Sequence, residues 1–416
     1  MTDVREAVAD AHRREWAFVL AATVRVAGDV DLAEECVQDA YVAALDAWAR
    51  DGVPRSPGAW LTTAARRRAL DAHRRSRTLR AKLPLLVEPV EAFPVDPAEQ
   101  GDDAVPDDRL RLVFTCCHPA LAREAQVALT LRLVCGLTTA EIAAAFLVQE
   151  PTLAARITRA KKKIAAARIP YRIPTAAELP DRLDAVLTVV HLAFTTGHTA
   201  PDGEVLVRSD LVERALDLAR VLHALMPDER EVRGLLALLL IIDARRSTRT
   251  ATDGRLLLLA EQDRTQWDRV AITEGHSLVV DALRGGRPGR FALQAAIAAL
   301  HAQAPSYETT DWPQVLALYD ELLRVWPSPV VALNRAVALA EVAGEAAALA
   351  EVDALASDPR LASYRYLPAT RADLLRRLGR DEEAADAYRE ALARTANQAE
   401  RDFLTGRLRE VTAPLR

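Results

Sequence analysis

"LTTAEIAAAFLVQEPTLAARITRAKKKI", Leu137 to Ile164, places two short helices and a cationic run in one stretch. Thr138 and Glu141 have the spacing of a capping box and predict a helix start. Ile142 and Ala145 supply a short buried face, and "FLVQEP" breaks the pattern. A second helix follows with Pro151 in its first turn, where a missing N–H costs nothing. Leu153, Ile157, Ala160 and Ile164 fall on one apolar face of it, and Thr152, Arg156, Arg159 and Lys163 on a face roughly 100° away. A dry face beside a cationic one raises the question of what the cations meet.

Composition narrows the setting. The chain has 416 residues, 50% of them hydrophobic and 27% charged, enough for about three domains with ample core. Ala, Leu, Arg and Glu dominate, glycine is sparse and β-branched runs are rare, so the expected fold class is all-α. No apolar stretch reaches the roughly 18 residues of a membrane span, and "LLALLLII" (Leu235 to Ile242) reads as a buried helix. The charged opening predicts no signal peptide, and four cysteines suit a reducing compartment, so a cytoplasmic, nucleoid-associated protein without membrane contact is expected.

The net charge of −5 hides strong local contrast. Arg66 to Lys82 carries eight Lys/Arg against one Asp, and Thr152 to Arg168 carries six against no acid. Between them Pro84 to Asp108 holds eight acids, five prolines and no base. Local fields of this kind choose partners, whatever the whole-chain balance.

These shifts divide the chain into a helical domain at 1–83, an acidic Pro-rich linker at 84–108 that cannot bury enough apolar surface to fold alone, and a small domain at 109–172. "RIPYRIP" marks the next boundary; a helical extension at 180–290 and helical repeats at 291–416 follow. In the repeats, Tyr319, Leu322 and Pro327 fill packing and turn positions of a tetratricopeptide-like pair. Ala336, Ala348 and Leu355 recur in the next, then Ala372, Ala384, Tyr388 and Ala391. Tyr319, Val352 and Tyr388 are spaced by 33 and 36 residues, near the 34 of that repeat class. Such pairs stack into a curved solenoid with a concave binding face. Residues 180–290 match no repeat.

In the first domain, "SPGAWLTTAARRRALDAHRRSR" opens with Ser56 as N-cap and Pro57 at the first helical position. Trp60, Leu61, Ala64, Ala65 and Leu70 form its expected apolar stripe, and Arg66, Arg67, Arg68, Arg74, Arg75 and Arg77 coat the rest. A solvated face usually interleaves Glu for i,i+4 pairs. Here only Asp71 is present, which favours an external polyanion over a plain surface helix. Ahead of it, "DLAEECVQDAYVAALDAW" puts Val37, Tyr41, Ala44 and Trp48 on one face, with Glu34, Glu35, Gln38, Asp39 and Asp46 on others.

Together these residues resemble the RNA polymerase sigma factors of the extracytoplasmic-function class. Their region 2 pattern, D-x-A-E-x-x-V-Q-E followed by W-L-x-x-x-A-R-N-x-x-x-D-x-x-R-R, is similar to Asp31, Ala33, Glu34, Val37, Gln38 and Asp39, then Trp60, Leu61, Ala65, Arg66, Asp71, Arg74 and Arg75. Their region 4 pattern is similar to Glu141, Ile142, Ala143, Thr152, Leu153, Arg156, Arg159 and Ala160. The chain departs at Arg67, where Asn is common, at Gln149, a weaker N-cap than Ser, and at Ala155. The helical C-terminus, with "FTCCHPALAREAQVALTLR" and "LMPDEREVRGLLALLLIIDARR", resembles the subgroup carrying a tetratricopeptide-like extension.

The resemblance implies a helix-turn-helix whose cationic face enters the −35 major groove. It makes Thr152, Arg156 and Arg159 base or phosphate readers, and Lys161, Lys162 and Lys163 phosphate anchors. Glu34, Glu35, Gln38 and Asp39 would dock on the clamp helices of core RNA polymerase. Trp60 and the loop Gly52 to Ala59 would hold an unstacked −10 base beside the arginine-rich helix. The linker would thread the RNA-exit path, and the extension would regulate activity or bind a protein or peptide partner. No cofactor and no covalent chemistry are implied.

Other signals compete weakly. "CCH" (Cys116, Cys117, His118) has poor chelate geometry and no second pair at ligand spacing, so buried small residues beside a Pro119 turn are expected there. His191 and His198 lack acid or thiol company and read as core or surface histidines. "RSTRTATDGR" is either a basic loop or, with Asp243, Arg245 and Arg246, a buried ion network. Phosphate-binding GxxxxGK, GxGxxG, HExxH and GxSxG motifs are missing, so an enzyme is not expected. Two rival readings stand beside the sigma factor: a helix-turn-helix regulator with a repeat sensor that never joins polymerase, and a repeat scaffold.

Overall fold

A computed structural model describes residues 4–82, 108–146, 148–175, 178–200, 203, 206–251 and 254–413. Its described residues form helices joined by turns, with one isolated bridge between Thr250 and Leu256. The chain divides into two compact units, Met1–Val189 and Val190–Arg416. The predicted linker lies outside the described residues apart from Asp108.

The first unit opens with α1 (Val4–Ala27), α2 (Val30–Asp51) and α3 (Pro57–Lys82). The Asp29 side chain caps α2 by accepting the Leu32 N–H at 2.8 Å. Gly28, with φ +67°, makes the tight turn between α1 and α2, a conformation costly for other residues. Val37, Tyr41, Ala44 and Trp48 are buried as their periodicity predicts. On α3 the buried stripe is Leu61, Ala65 and Ala69. Leu70, expected inside, is 49% exposed because the i, i+4 row runs through its neighbour Ala69.

Next come α4 (Asp108–Cys116), α5 (Arg123–Leu133), α6 (Thr139–Phe146) and α7 (Glu150–Ala166). The Thr138–Glu141 capping box forms in both directions: the Thr138 N–H donates to Glu141 at 2.7 Å, and the Glu141 N–H to Thr138 Oγ1 at 3.2 Å. Gln149 precedes α7 without a side-chain cap bond, and Pro151 sits in its first turn. Leu153, Ile157, Ala160 and Ile164 are its buried residues, and α7 packs on α5 and α6. Cys116 and Cys117 are buried at the end of α4, where Cys117 Sγ lies 3.6 Å from Thr130 Oγ1. Burial pushes the Cys117 thiol up to about 12.

The boundary between the units falls within α8 (Leu179–His198). In the second unit follow α9 (Ser209–Leu225), α10 (Arg230–Asp243), α11 (Arg269–Leu283) and α12 (Arg290–Gln303). Nearly all of Leu235 to Ile242 is buried, since α10 is sandwiched between α11 and α12. Gly234 lets α12 approach closely: a Cβ there would stand 2.5 Å from the Ala292 nitrogen.

The remaining helices are α13 (Trp312–Val325), α14 (Pro329–Ala343), α15 (Glu345–Leu355), α16 (Tyr366–Arg377), α17 (Asp381–Ala393) and α18 (Gln398–Thr412). Each packs on the next in order, the nearest-neighbour stacking of a tetratricopeptide-like array. Ala336, Ala348, Val352, Ala372, Ala384, Tyr388 and Ala391 share one core cluster, so the small-residue and aromatic positions meet as the repeat spacing predicts. Tyr319 packs instead on a second cluster with Leu293, Ile297, Val315 and Leu322.

Candidate nucleic-acid interface

The cationic side of α7 is largely open. Thr152, Arg159, Lys162 and Lys163 are exposed and Arg156 is half-buried, all beside the dry stripe that seats the helix. Among the described residues no side chain pairs with Arg156, Lys162 or Lys163. A stripe of unpaired cations on the second helix of a helix-turn-helix suits a phosphate backbone or base edges.

Lys161 behaves differently. Its ammonium lies 2.9 Å from Asp31 Oδ1 and also pairs with Glu34 Oε2, both on α2. Burial would lower the lysine's pKa, but the Glu34 and Asp31 carboxylates overcome it and raise it above its ordinary value. Arg132 of α5 faces Glu34 from the other side at 3.5 Å. Glu34 is therefore buried at 7% exposure, not on the open acidic face with its neighbours. Tyr171 adds a second tie, its hydroxyl donating to the Ala21 carbonyl on α1 at 2.8 Å. Its hydroxyl also lies 3.0 Å from the Asp108 carbonyl at the start of α4. The first three helices and the helix-turn-helix are thus joined by polar contacts between α2 and α7 and around Tyr171.

The rest of α2 presents Glu35, Gln38 and Asp39 to solvent, continued by exposed Val42 and Leu45. The two apolar residues were not anticipated, although their spacing from Gln38 is helical. Exposed apolar groups beside acids are the composition of a protein-docking surface.

On α3, Arg67, Arg74 and Arg75 are exposed. Arg66 is half-buried, donating to the Ala22 carbonyl of α1 at 3.4 Å, and Arg68 faces Asp39 at 3.7 Å. Arg74 lies 3.4 Å from Asp71. The side chain of Arg77 lies outside the described residues. Trp60 is half-buried, edge-on to Trp48 with ring centroids 5.8 Å apart, at the end of the exposed loop that opens with Gly52. Its remaining free ring area leaves a platform for stacking.

Known families account for this arrangement. Residues 10–78 match sigma-70 region 2, residues 111–164 match sigma-70 region 4, and residues 182–283 match a family of unknown function, DUF6596. The chain carries sigma-70 region 2 and region 4 domains, in that order, followed by a C-terminal extension. A protein of Rhizobium meliloti (strain 1021) described as uncharacterized is 42% identical over 396 residues, spanning 95% of this chain and 93% of the other. The crystal structure of yeast Tom70 aligns with 98% of this chain and 85% of its own at 11% identity and a TM-score of 0.37.

In this chain α1 to α3 are sigma-70 region 2 and α4 to α7 sigma-70 region 4, and the two domains imply interaction with core RNA polymerase and promoter DNA. No helix among the described residues is long and apolar enough to cross a membrane. Two histidines of the extension pack against aromatic rings: His191 lies edge-on to Phe291 at 5.4 Å and His198 stacks on Phe194 at 5.3 Å. The anticipated ion network forms in part. Arg246 grips Asp243 through bonds of 2.8 and 2.6 Å, and Arg245 stays outside it.

Proposed function

We propose that this protein is an alternative sigma factor that directs core RNA polymerase to promoters recognised at two separated elements. The observation that carries the reading is the occurrence, in order in one chain, of regions 2 and 4 with an exposed acidic helix and two exposed cationic faces. Glu35, Gln38 and Asp39, extended by Val42 and Leu45, form the polymerase-docking face. Arg67, Arg74, Arg75 and Trp60 serve the −10 strand, by charge and by stacking. Thr152, Arg156, Arg159, Lys162 and Lys163 serve the −35 groove. The protein makes no covalent bond; its work is binding energy spent on positioning polymerase and on opening DNA.

In the arrangement described, Glu34 and Lys161 satisfy each other. Each is then withheld from the partner its domain implies, so engagement of polymerase and of both DNA elements begins by parting regions 2 and 4. The extension regulates that step or binds a partner in doing so. Co-purification tests the reading: core polymerase lacking its specificity subunit should be retained by this chain, and retention should fall when Glu35, Asp39 and Val42 are replaced by Lys. A chain that ignores core polymerase leaves only the regulator or scaffold readings.

A further inference from the structure

The extension holds an open-sided cavity of about 550 Å³ between α10, α12, α13 and α14, within the size range of small-ligand sites. Its walls are mainly apolar, with Leu238, Ile241, Ile297 and the ring of Trp267 among them. The Trp267 ring is held in place: its Nε1 donates to Thr248 Oγ1 at 2.9 Å, and the Arg264 guanidinium lies 4.7 Å from its centroid. Exposed Asn334 and Val337 line the solvent side.

Into this apolar space comes one cation without a counter-charge. Arg245 lines the cavity, and no described carboxylate pairs with it. The nearby Asp243 is committed to Arg246. Burial, and then the like charges of Arg249 and Arg264, lower its pKa to about 10. It therefore remains cationic at neutral pH. Neighbouring cations have their own acceptors: Arg249 donates to Thr199 Oγ1 at 2.9 Å, and Arg264 to the carbonyls of His301 and Ala304 at 2.5 and 2.7 Å. His301 also lines the cavity, and its Nδ1 is buried without a hydrogen-bond partner. A cation taken from water without a partner is costly, and such a site is completed by an anion.

We propose that this cavity binds a small amphipathic carboxylate, its head clamped by Arg245 beside His301 and its apolar body lying against Trp267, Ile241 and Ile297. A single guanidinium in apolar walls suits a monoanion with a hydrophobic body. A phosphate dianion would call for a second cation, and Arg245 is the one Lys or Arg among the lining residues. The proposal concerns the extension alone and does not depend on the sigma-factor reading.

Isothermal titration of the full chain with 2-naphthoate and octanoate tests it, against 2-naphthamide and 2-naphthyl phosphate as controls. At least one carboxylate should bind saturably, and naphthamide should bind about tenfold more weakly than naphthoate, or worse. Arg245→Met should reduce naphthoate to the amide's level while leaving the unliganded melting temperature unchanged or higher, since an uncompensated cation has been removed. Ile297→Trp, which fills the cavity and keeps the arginine, should abolish binding. The proposal is overturned if neither carboxylate binds, if amide and acid bind alike, or if naphthyl phosphate binds more tightly than naphthoate. A fall in melting temperature, or failure of Arg245→Met to fold, also overturns it, by making the arginine structural.

Discussion

Lys161 of region 4 and Glu34 of region 2 are ion-paired across 127 residues of sequence, with Asp31 and Arg132 completing the cluster. Their side chains keep only 14% and 9% exposure, so the pair has lost most of its water. Parting it costs more than parting a surface bridge. The same two residues belong to the motifs through which the family pattern implies contact with DNA and with polymerase. The latch and the working surfaces are therefore in competition.

Replacing Lys161 by Ala should loosen region 4 from region 2 by roughly 2 kcal/mol, less than the roughly 3–5 of a fully buried pair because Arg132 still faces Glu34. The four native cysteines are buried, so spin labels can be directed to cysteines introduced at exposed Val42 and Ala155. The wild-type pair should give one narrow distance distribution, and Lys161→Ala a broad one; Lys161→Arg should stay narrow. Identical distributions for wild type and Lys161→Ala would remove the latch from the account.

Phosphate contacts should be counted by salt. Lys162→Ala and Lys163→Ala should each lower the slope of log K against log salt by about 1 in anisotropy titrations with promoter duplex. With a duplex carrying the −35 element alone, which the exposed Lys162 and Lys163 can reach while the latch is closed, Lys161→Ala should change that slope less, because its ammonium is then occupied by carboxylates. Equal slopes for all three variants would place Lys161 on DNA.

The contrast between those lysines shows what was legible beforehand. The dry face of α7 was read correctly from Leu153, Ile157, Ala160 and Ile164, and the capping box at Thr138 from two letters. Charge groups Lys161 with its neighbours, yet it stands four residues after Ile157 and three before Ile164, at the edge of the apolar arc and across it from Arg156, Arg159 and Lys163. Period outranked residue type there. Glu34 repeats the lesson, one residue after buried Ala33 and three before Val37. Tyr171 was legible only as part of a boundary, since its acceptors on Ala21 and Asp108 come from distant sequence. The cavity around Arg245 could not be read either: it is assembled from four helices and defined by the lack of an acid.

Acid should weaken the extension. Burial, and then Arg290, lower His191 from 6.5 to about 4; burial, and then Arg245, lower His301 to about 4. The unfolded chain takes up these protons near pH 6.5 and the folded one only near pH 4. Stability is thus complete above pH 6.5 and is lost as pH falls toward 4, on the order of 3 kcal/mol for His191 alone. Urea titrations at pH 7 and 5 should show the loss, and His191→Phe should reduce it; a pH-independent midpoint would contradict the burial of these rings.

Close packing at Gly234 makes a separate claim. Its added Cβ would meet backbone, the Ala292 nitrogen at 2.5 Å, which cannot rotate away. Gly234→Ala should destabilise the second unit by about 1–3 kcal/mol despite the better helix propensity of Ala. A rise in the urea midpoint would show that α10 and α12 are farther apart than described.

Transcription of fragmented genomic DNA in vitro by core polymerase, with the 5′ ends of the transcripts sequenced, reaches the centre of the account. Adding this chain should create a set of start sites preceded by two shared elements at fixed spacing, and charge reversal at Arg156 and Arg159 should erase them. A 5′-end profile indistinguishable from that of core polymerase alone would contradict it.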